Sequence, residues 1–214
     1  FCDEQGCGEN HHFSPDPTIA AEAVYRGLTV LPSRTSLVKT LSGPGRVCDP
    51  DTRRLLANSR RRLSRKDDDA VAARCRVLFE SDDEINDAVV TELAVAVQRP
   101  DVARRLWVSM ERADASRWLT IWSRAVEIIP DRMAPAPLSV CGLAGWLNGD
   151  GAVAAVCARR CEFMVGTADL PAALAAIVDA FVPPKLWDVM EHDPTVIAHP
   201  LLEEQMGEKL NLSA

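Results

Sequence analysis

The sequence predicts an all-α protein, an array of antiparallel helix pairs with a repeat-like character. Three observations support this prediction. Apolar residues recur at spacings of three and four along most of the chain, which is the period of an amphipathic helix. Strand-like alternation is nearly absent, and "LTVLP" at 28–32 is the only candidate strand. Turn residues separate the helical stretches, and helices with one apolar face bury that face against neighbouring helices.

The first half of the chain, 17–132, is expected to be helical. Thr18–Arg26 is typical of a short helix, and a second helix is predicted after Ser33, running to about residue 41. Ser81–Glu84 matches a capping box, in which the serine and the glutamate each satisfy an early backbone N–H, so we predict that a helix begins there. Its apolar stripe is expected to comprise Ile85, Val89, Leu93 and Ala96 or Val97.

Two more helices are predicted before residue 133. Pro100 suits the first turn of a helix, where the N–H that proline lacks would be unsatisfied in any residue. The stripe of this helix is expected to comprise Val102, Leu106 and Met110. Trp118, Trp122 and Val126 mark the following helix, which Pro130 is expected to end.

The segment "CGLAGWLNGDGAVAAVCARR" at 141–160 is predicted to be the corner of a helical hairpin. Asn148 and Gly149 suit the left-handed end of one helix, and Asp150 suits the N-cap of the next. A third helix is expected from about Asp169 to the Pro183-Pro184 pair. Its inward residues are predicted to be Leu174, Ile177, Val178 and Phe181. The pattern over 137–182 has a tetratricopeptide-like character but no clean period.

The composition limits location and partners. The 214 residues carry a formal net charge of -7, which argues against generic attraction to nucleic acid or anionic lipid. The longest apolar run, 152–158, is far shorter than the roughly 20 residues that span a bilayer, so no membrane association is expected. Seven scattered cysteines do not form a compact disulfide framework, which favours a cytoplasmic location.

Four segments are expected along the chain. They are a Cys/His-rich N-terminal segment at 1–16, a helical region at 17–132, a helical hairpin region at 133–191 and a C-terminal tail at 192–214. Because the chain begins at Phe1 rather than at methionine, we expect it to be a fragment of a longer protein or a processed chain.

Three stretches together resemble the actinobacterial domain-of-unknown-function family 4192: "AAEAVYRGLTVLPSRTSLVKTL", "GLAGWLNGDGAVAAVCARRC" and "LPAALAAIVDAFVPPKLW". The resemblance implies a bacterial cytoplasmic protein with an α-helical C-terminal part and a further α/β portion upstream. It also implies a cysteine-rich motif before the first helix, which looks like Cys2 and Cys7. Gly8 stands where the family pattern has a second cysteine. No reaction follows from the resemblance.

A zinc site is one candidate for chemistry near the N-terminus. Cys2, Cys7, His11 and His12 supply the thiolate and imidazole ligands that zinc prefers, and Cys48 is a substitute ligand from a neighbouring loop. The spacing is not that of a recognised zinc knuckle, and adjacent histidines do not easily face one ion. The favoured interpretation is a polar segment without metal, and any zinc here is expected to be structural.

A basic stretch is the second candidate site. It contains Arg53, Arg54, Arg60, Arg61, Arg62, Arg65 and Lys66. Several guanidinium groups on one helix are typical of a surface that contacts phosphates, so nucleic-acid binding is one hypothesis. No aromatic residue interleaves with them for base stacking. The favoured interpretation is a solvated face, partly neutralised by the acidic runs at 67–69 and 82–87.

Tryptophans, cysteines and histidines complete the candidates. Trp107, Trp118 and Trp122 are predicted to pack in the core, and anchoring a partner peptide at a groove is the alternative. Val153, Cys157 and Cys161 are expected to line one side of a helix. The two cysteines are predicted to be buried thiols, and a redox pair or a metal-binding pair is the alternative. The remaining two histidines, His192 and His199, are expected on the surface.

No catalytic signature is present in the sequence. The phosphate loop, the dinucleotide-binding glycines, the H-E-x-x-H zinc helix and the G-x-S-x-G elbow are all absent. We therefore expect a non-catalytic helical module that binds a protein partner or its own upstream domain. Nucleic-acid binding through the basic stretch is one alternative. A zinc-stabilised module, or part of an enzyme whose site lies upstream, is the other.

Overall fold

The computed structural model describes residues 34–45, 47–80, 85–162, 164, 169–190 and 192–197. Every regular element in these ranges is helical, which confirms the predicted all-α array. The α-helices are α1 (Arg34–Thr40), α2 (Pro50–Leu63), α3 (Asp68–Glu80), α4 (Asp87–Ala96), α5 (Pro100–Val108), α6 (Ala115–Ile128), α7 (Pro135–Leu147), α8 (Gly151–Glu162) and α9 (Asp169–Asp179). The candidate strand at 28–32 and the predicted helix Thr18–Arg26 lie outside the described residues.

The chain divides into two units, Phe1–Ser36 and Leu37–Ala214, and the second holds nearly all of the described helices. Within it, α2 packs mainly against α4, and α3 against α5, so these neighbours are not consecutive along the chain. From α6 onward consecutive helices pack together, with α7 against α6, α8 and α9. The repeat-like character stays a prediction.

Helix α7 lies at the centre of the second unit. Every residue from Pro137 to Leu147 is buried, because α5, α6, α8 and α9 all pack on it. A helix that is apolar on all sides has this environment. The core is continuous from Leu41 to Ile197 and includes apolar residues of every helix from α2 to α9.

The predicted hairpin corner between α7 and α8 is confirmed. Gly149 has φ of +82°, and the N–H groups of Gly149 and Asp150 donate to the carbonyls of Trp146 and Gly145 at 2.9 and 2.7 Å. This pair of bonds is the Schellman motif that ends many helices. Asp150 Oδ1 then accepts from Val153 N at 3.1 Å, so the aspartate caps α8 as predicted.

The predicted start of α4 is wrong. The helix begins at Asp87, and its N-cap is Asn86, whose Oδ1 accepts from Ala88 N and Val89 N at 3.0 and 3.1 Å. Asparagine is as strong an N-cap as serine and stands directly before the helix. The capping-box residues 81–84 lie outside the described residues. The starts of α5 at Pro100 and of α9 at Asp169 are as predicted.

The inward position predicted for Phe181 is also wrong. Its side chain is 89% exposed, and its φ is +51°. The N–H groups of Phe181 and Val182 donate to the carbonyls of Val178 and Ile177, which is the hydrogen-bond pattern of a Schellman motif. Phe181 is the left-handed residue of this motif, so its side chain does not continue the inward stripe of α9. Trp187 fills the core instead, from the short 3-10 helix Pro184–Asp188, and its Nε1 donates to Met110 O at 2.7 Å.

Candidate binding surface on helix α2

Helix α2 has one buried and one basic face. Its N-terminus is capped by Asp49, whose Oδ1 accepts from Asp51 N and Thr52 N at 3.0 and 2.9 Å. These hydrogen bonds, chiefly those with Thr52, lower the pKa of the Asp49 carboxyl. The buried face comprises Thr52, Leu56, Ser59 and Leu63. Arg54 and Arg61 are seven residues apart, close to two whole helical turns, and both are exposed on the opposite face, while Arg65 is exposed just beyond the end of the helix. We call these three residues the basic face.

Three other arginines of the stretch are tied to the protein itself. Arg53 donates to Cys48 O at 3.3 Å, and Arg60 Nη2 lies 3.1 Å from Met133 Sδ. Arg62 pairs with Glu92 at 2.8 Å. The contacts of Arg60 and Arg62 connect α2 to other elements, whereas that of Arg53 is local, so the six arginines predicted as one nucleic-acid site divide into two groups with different surroundings.

The basic face makes only local contacts. Arg54 pairs with Asp51 at 3.1 Å, with both side chains more than 70% exposed. Arg61 donates to Asn58 Oδ1 at 2.5 Å. Arg65 makes no ion pair or side-chain hydrogen bond within the described part of the chain. An exposed pair such as Arg54 with Asp51 contributes little and opens readily.

The nearby aspartates do not pair with the basic face. Asp67 Oδ1 caps α3 by accepting from Ala70 N at 2.7 Å. Asp68 pairs with Arg99 at 2.8 Å, and Asp69 pairs with Arg105. These carboxylates bind Arg99, Arg105 or the backbone of α3 rather than the basic face, and the predicted partial neutralisation by 67–69 and 82–87 stays a prediction.

Asp87, the last residue of the acidic run 82–87, also pairs with an arginine outside the basic face. Arg124 of α6 donates to both of its carboxylate oxygens, at 3.0 and 3.2 Å. The hydrogen bond with Glu127, and to a smaller extent the one with Asp87, raises the pKa of Arg124. The positive charge of the basic face therefore has no acidic partner from 67–69 or from Asp87.

Glu92 also belongs to this region, although no motif in the sequence marks it. Its side chain is 5% exposed and lies 2.8 Å from Arg62 and 3.2 Å from Arg74. The sequence feature that could have identified it is a glutamate surrounded by apolar residues in the helix "DAVVTELAVA". A carboxylate buried in such a helix requires charged partners. Burial, together with the charge of Glu92, raises the pKa of Cys75 to about 12. Glu92 fixes Arg62 in place beside the basic face.

An open depression of ≈ 650 Å³ lies where the end of α2 meets the start of α4. It is lined by Leu55, Asn58, Arg61, Arg62, Ser64, Arg65 and Ala88. Leu55 is half-buried and Ala88 is exposed, and together they supply its apolar part. The arginines supply cationic donors on the same concave surface, so the depression combines positive charge with an apolar contact area.

The three tryptophans predicted for the core are there. Trp107 and Trp122 are 0% exposed and Trp118 is 4% exposed. Trp118 stacks on Phe79 with ring centroids 3.9 Å apart. Side chains with so little exposure contact no partner, so the alternative of Trp107, Trp118 and Trp122 as anchors at a groove is wrong for this structure.

The thiols of α8 are buried as predicted. Val153, Cys157 and Cys161 are each at most 5% exposed. Burial raises the pKa of Cys161 to about 11, and a hydrogen bond with Cys141 together with burial raises the pKa of Cys157. Thiols held in the protonated form are poor nucleophiles and poor metal ligands.

The surface position predicted for His192 is wrong. It is half-buried, its ring stacks on Trp187 with centroids 4.1 Å apart, and its Nε2 lies 2.5 Å from Trp187 O. The other histidine and cysteine candidates, His199, Cys2, Cys7, His11 and His12, lie outside the described residues. Cys48 is a free, buried thiol.

Neither a membrane-spanning helix nor a cluster of potential metal ligands occurs in the described ranges. None of the helices there combines the length and the apolar character needed to cross a membrane. In the same ranges no three His, Cys, Asp or Glu side chains are grouped so that they could hold a metal ion.

Comparison with known proteins identifies a family and no individual relative. The family model described as Domain of unknown function (DUF4192) matches residues 1–185. No curated protein and no solved structure matches the chain.

Proposed function

The chain belongs to the domain-of-unknown-function family DUF4192, and from that premise we propose that it is a non-catalytic helical module that binds a protein partner. The basic face of α2 and the adjoining depression are the proposed binding surface. Family membership assigns no activity, so the proposal rests on the geometry.

The observation that carries the proposal is the separation of charges around α2. The aspartates at 67–69 pair with α5 or cap α3, while Arg61 and Arg65 remain exposed without an acidic partner from the described residues. Exposed like charges on one helical face repel one another and contribute no folding energy. A ligand that brings negative charge to this surface would remove that repulsion, which supports the proposal.

Nucleic acid is the second candidate ligand, because the same arginines form a row along one helix. Two observations favour a protein. The formal net charge of -7 opposes the approach of a long polyanion. The aromatic side chain nearest in sequence to the basic stretch, Phe79, is 8% exposed and packs on Trp118, so it offers no face for base stacking.

The proposed location is the cytoplasm, in a bacterial cell. All five described cysteines are free thiols, which fits a reducing compartment. The partner is a separate protein or an upstream domain of the same polypeptide. Zinc bound by Cys2, Cys7, His11 and His12 stays a separate proposal, and elemental analysis of the purified protein would detect it.

Affinity capture with matched variants tests the proposed function. The immobilised chain is exposed to a lysate of its native host, with and without nuclease treatment, in parallel with R54Q/R61Q/R65Q and with R132Q/R159Q. Arg132 and Arg159 are exposed and distant in sequence from the depression, so the second variant controls for lost charge. Captured proteins are identified, purified and titrated directly against all three chains.

We expect a partner that binds the wild-type chain and the control equally and loses at least ten-fold in affinity for R54Q/R61Q/R65Q, which corresponds to ~1.4 kcal/mol. Capture that disappears on nuclease treatment would support nucleic acid instead. A partner that binds all three chains equally would place the binding surface elsewhere and overturn the proposal.

A further inference from the structure

The depression beside α2 has features that define the chemistry of its occupant. Arg61 and Arg65 are exposed at its edge, and Leu55 and Ala88 supply an apolar area within it. A ligand that satisfies both must carry negative charge and an apolar group close together. Simple inorganic anions satisfy only the first requirement.

The cationic part of the depression is partly rigid. Arg62 is held by Glu92, which is itself 5% exposed and also bound by Arg74. A guanidinium fixed by a buried carboxylate loses little conformational freedom when a ligand binds beside it. Arg61 is held more weakly, by the exposed amide of Asn58, and exchanges that contact for a carboxylate at little cost.

The backbone near the depression is unsuited to a phosphate. Phosphate groups commonly bind at helix N-termini, where the first N–H groups are free. At the start of α4, Ala88 N and Val89 N already donate to Asn86 Oδ1, at 3.0 and 3.1 Å. A phosphate would therefore find side-chain donors only, beside an apolar surface that it cannot use.

We infer that this depression binds an acidic amphipathic segment of a partner protein, with its carboxylates on Arg61 and Arg65 and an apolar side chain against Leu55 and Ala88. The inference rests on the proposed function and specifies the partner's chemistry. Arginine and carboxylate pair through two parallel hydrogen bonds, which gives the contact orientation as well as charge complementarity.

A displayed library of random 12-residue peptides tests this inference without knowledge of the natural partner. The library is selected on the wild-type chain, and the most enriched peptides are synthesised and titrated by fluorescence anisotropy. The chains compared are wild type, R61Q/R65Q, Leu55→Asn and the control R132Q/R159Q. Inorganic pyrophosphate and a single-stranded oligonucleotide are titrated in parallel, and circular dichroism checks that each variant is folded.

We expect enriched peptides to contain both Asp or Glu and a large apolar residue. Their affinity should fall at least ten-fold for R61Q/R65Q and several-fold for Leu55→Asn, and should be unchanged for R132Q/R159Q. Replacing the apolar residue of a peptide by alanine should weaken binding to the wild type and leave binding to Leu55→Asn nearly unaffected, because the two changes remove the same contact.

Three results would overturn the inference. They are enrichment of peptides without acidic residues, equal binding to wild type and R61Q/R65Q, and binding of the oligonucleotide or pyrophosphate that matches that of the best peptide. If a host protein is captured through the basic face but the selected peptides ignore the depression, the proposed function stands and this inference fails. If neither depends on the arginines, both fail.

Discussion

Gly142 and Gly145 let α7 approach its neighbours more closely than a side chain would allow. A Cβ on Gly142 would lie 2.4 Å from Leu174 Cδ2 and 2.9 Å from Cys157 Cβ. A Cβ on Gly145 would lie 2.9 Å from Val153 Cβ. The methyl group of leucine can move, but the Cβ atoms of α8 move only with their backbone. Gly142 and Gly145, which lie inside α7, therefore determine how closely the helices pack.

Gly142→Ala should lower the free energy of unfolding by about 1 to 2 kcal/mol. Overpacking in a dense core costs about 1 to 3 kcal/mol, and the higher helix propensity of alanine returns about 1 kcal/mol at most. Equilibrium unfolding in urea measures the difference. Gly151→Ala is the matched control, since nothing lies within 4 Å of its added Cβ. Equal stability of the two variants would show that α7 has room at Gly142.

The buried thiols make stability depend on alkaline pH. The pKa of Cys75 is raised to about 12 and that of Cys161 to about 11, chiefly by burial. In the unfolded chain these thiols ionise near pH 8.5. A raised folded-state pKa contributes stability that is fully present below about pH 8.5 and is lost as the pH rises toward 11 and 12.

Urea unfolding at pH 8 and pH 10 should therefore show a steeper loss of stability for the wild-type chain than for Cys75→Ala/Cys161→Ala. The comparison cancels the titration of lysines and tyrosine, which both chains share. In the native state the thiols should also react slowly with a disulfide reagent at pH 8 and rapidly once the protein is unfolded. Fast reaction of the native protein would contradict their burial.

At the scale of elements, Trp187 is the largest side chain that anchors the segment after α9 in the core. Trp187 is 1% exposed, its Nε1 donates to Met110 O, and its ring meets those of Trp107 and Trp146 edge to face at 6.4 and 5.8 Å. Phe181, six residues earlier, faces solvent with a left-handed backbone. Two aromatic residues close in sequence therefore have opposite effects on stability.

Trp187→Ala should destabilise the protein by about 3 to 5 kcal/mol, because it removes a buried indole and leaves a cavity. Phe181→Gly should stabilise it by up to about 1 kcal/mol, since glycine adopts positive φ without a steric penalty. Thermal and urea unfolding of both variants check the signs. A stabilised Trp187→Ala or a strongly destabilised Phe181→Gly would contradict the packing described for this segment.

Helix positions were largely predictable from the sequence, whereas helix partners were not. The turn at Gly149 and Asp150 was predicted because its residues have strong local preferences that the tertiary structure does not oppose. The start of α4 was missed because two adjacent cap signals competed, and Asn86 forms the cap. Periodicity shows which face of a helix is buried but not which helix covers it, so the packing of α2 on α4 was unpredictable.

At the scale of the whole molecule, charge pairing depends on tertiary contacts that sequence proximity does not show. Asp68 and Asp69 follow the basic stretch directly but pair with Arg99 and Arg105, more than thirty residues away. The sequence therefore identified the arginines of the candidate site but not which of them are exposed without an acidic partner. Leu55 and Ala88, which join them in the depression, carried no recognisable signal.

The net charge of -7 does not show how charge is distributed over the surface. Acidic residues pair with arginines of α5 and α6, while the outer side of α2 remains positive. This distribution is consistent with the proposed binding of a short acidic segment. The division is a property of the folded chain, because in the unfolded chain residues 53–69 hold both charges side by side.

Urea unfolding of R61Q/R65Q at low ionic strength tests most directly whether these arginines serve binding rather than folding. The free energy of unfolding should stay within about 0.5 kcal/mol of wild type or rise, since exposed like charges are removed. Arg62→Gln, which takes a partner from the buried Glu92, should cost about 1 to 2 kcal/mol in the same experiment. A loss above about 2 kcal/mol in R61Q/R65Q would mean that the fold itself requires Arg61 and Arg65, and it would contradict their assignment to a binding surface.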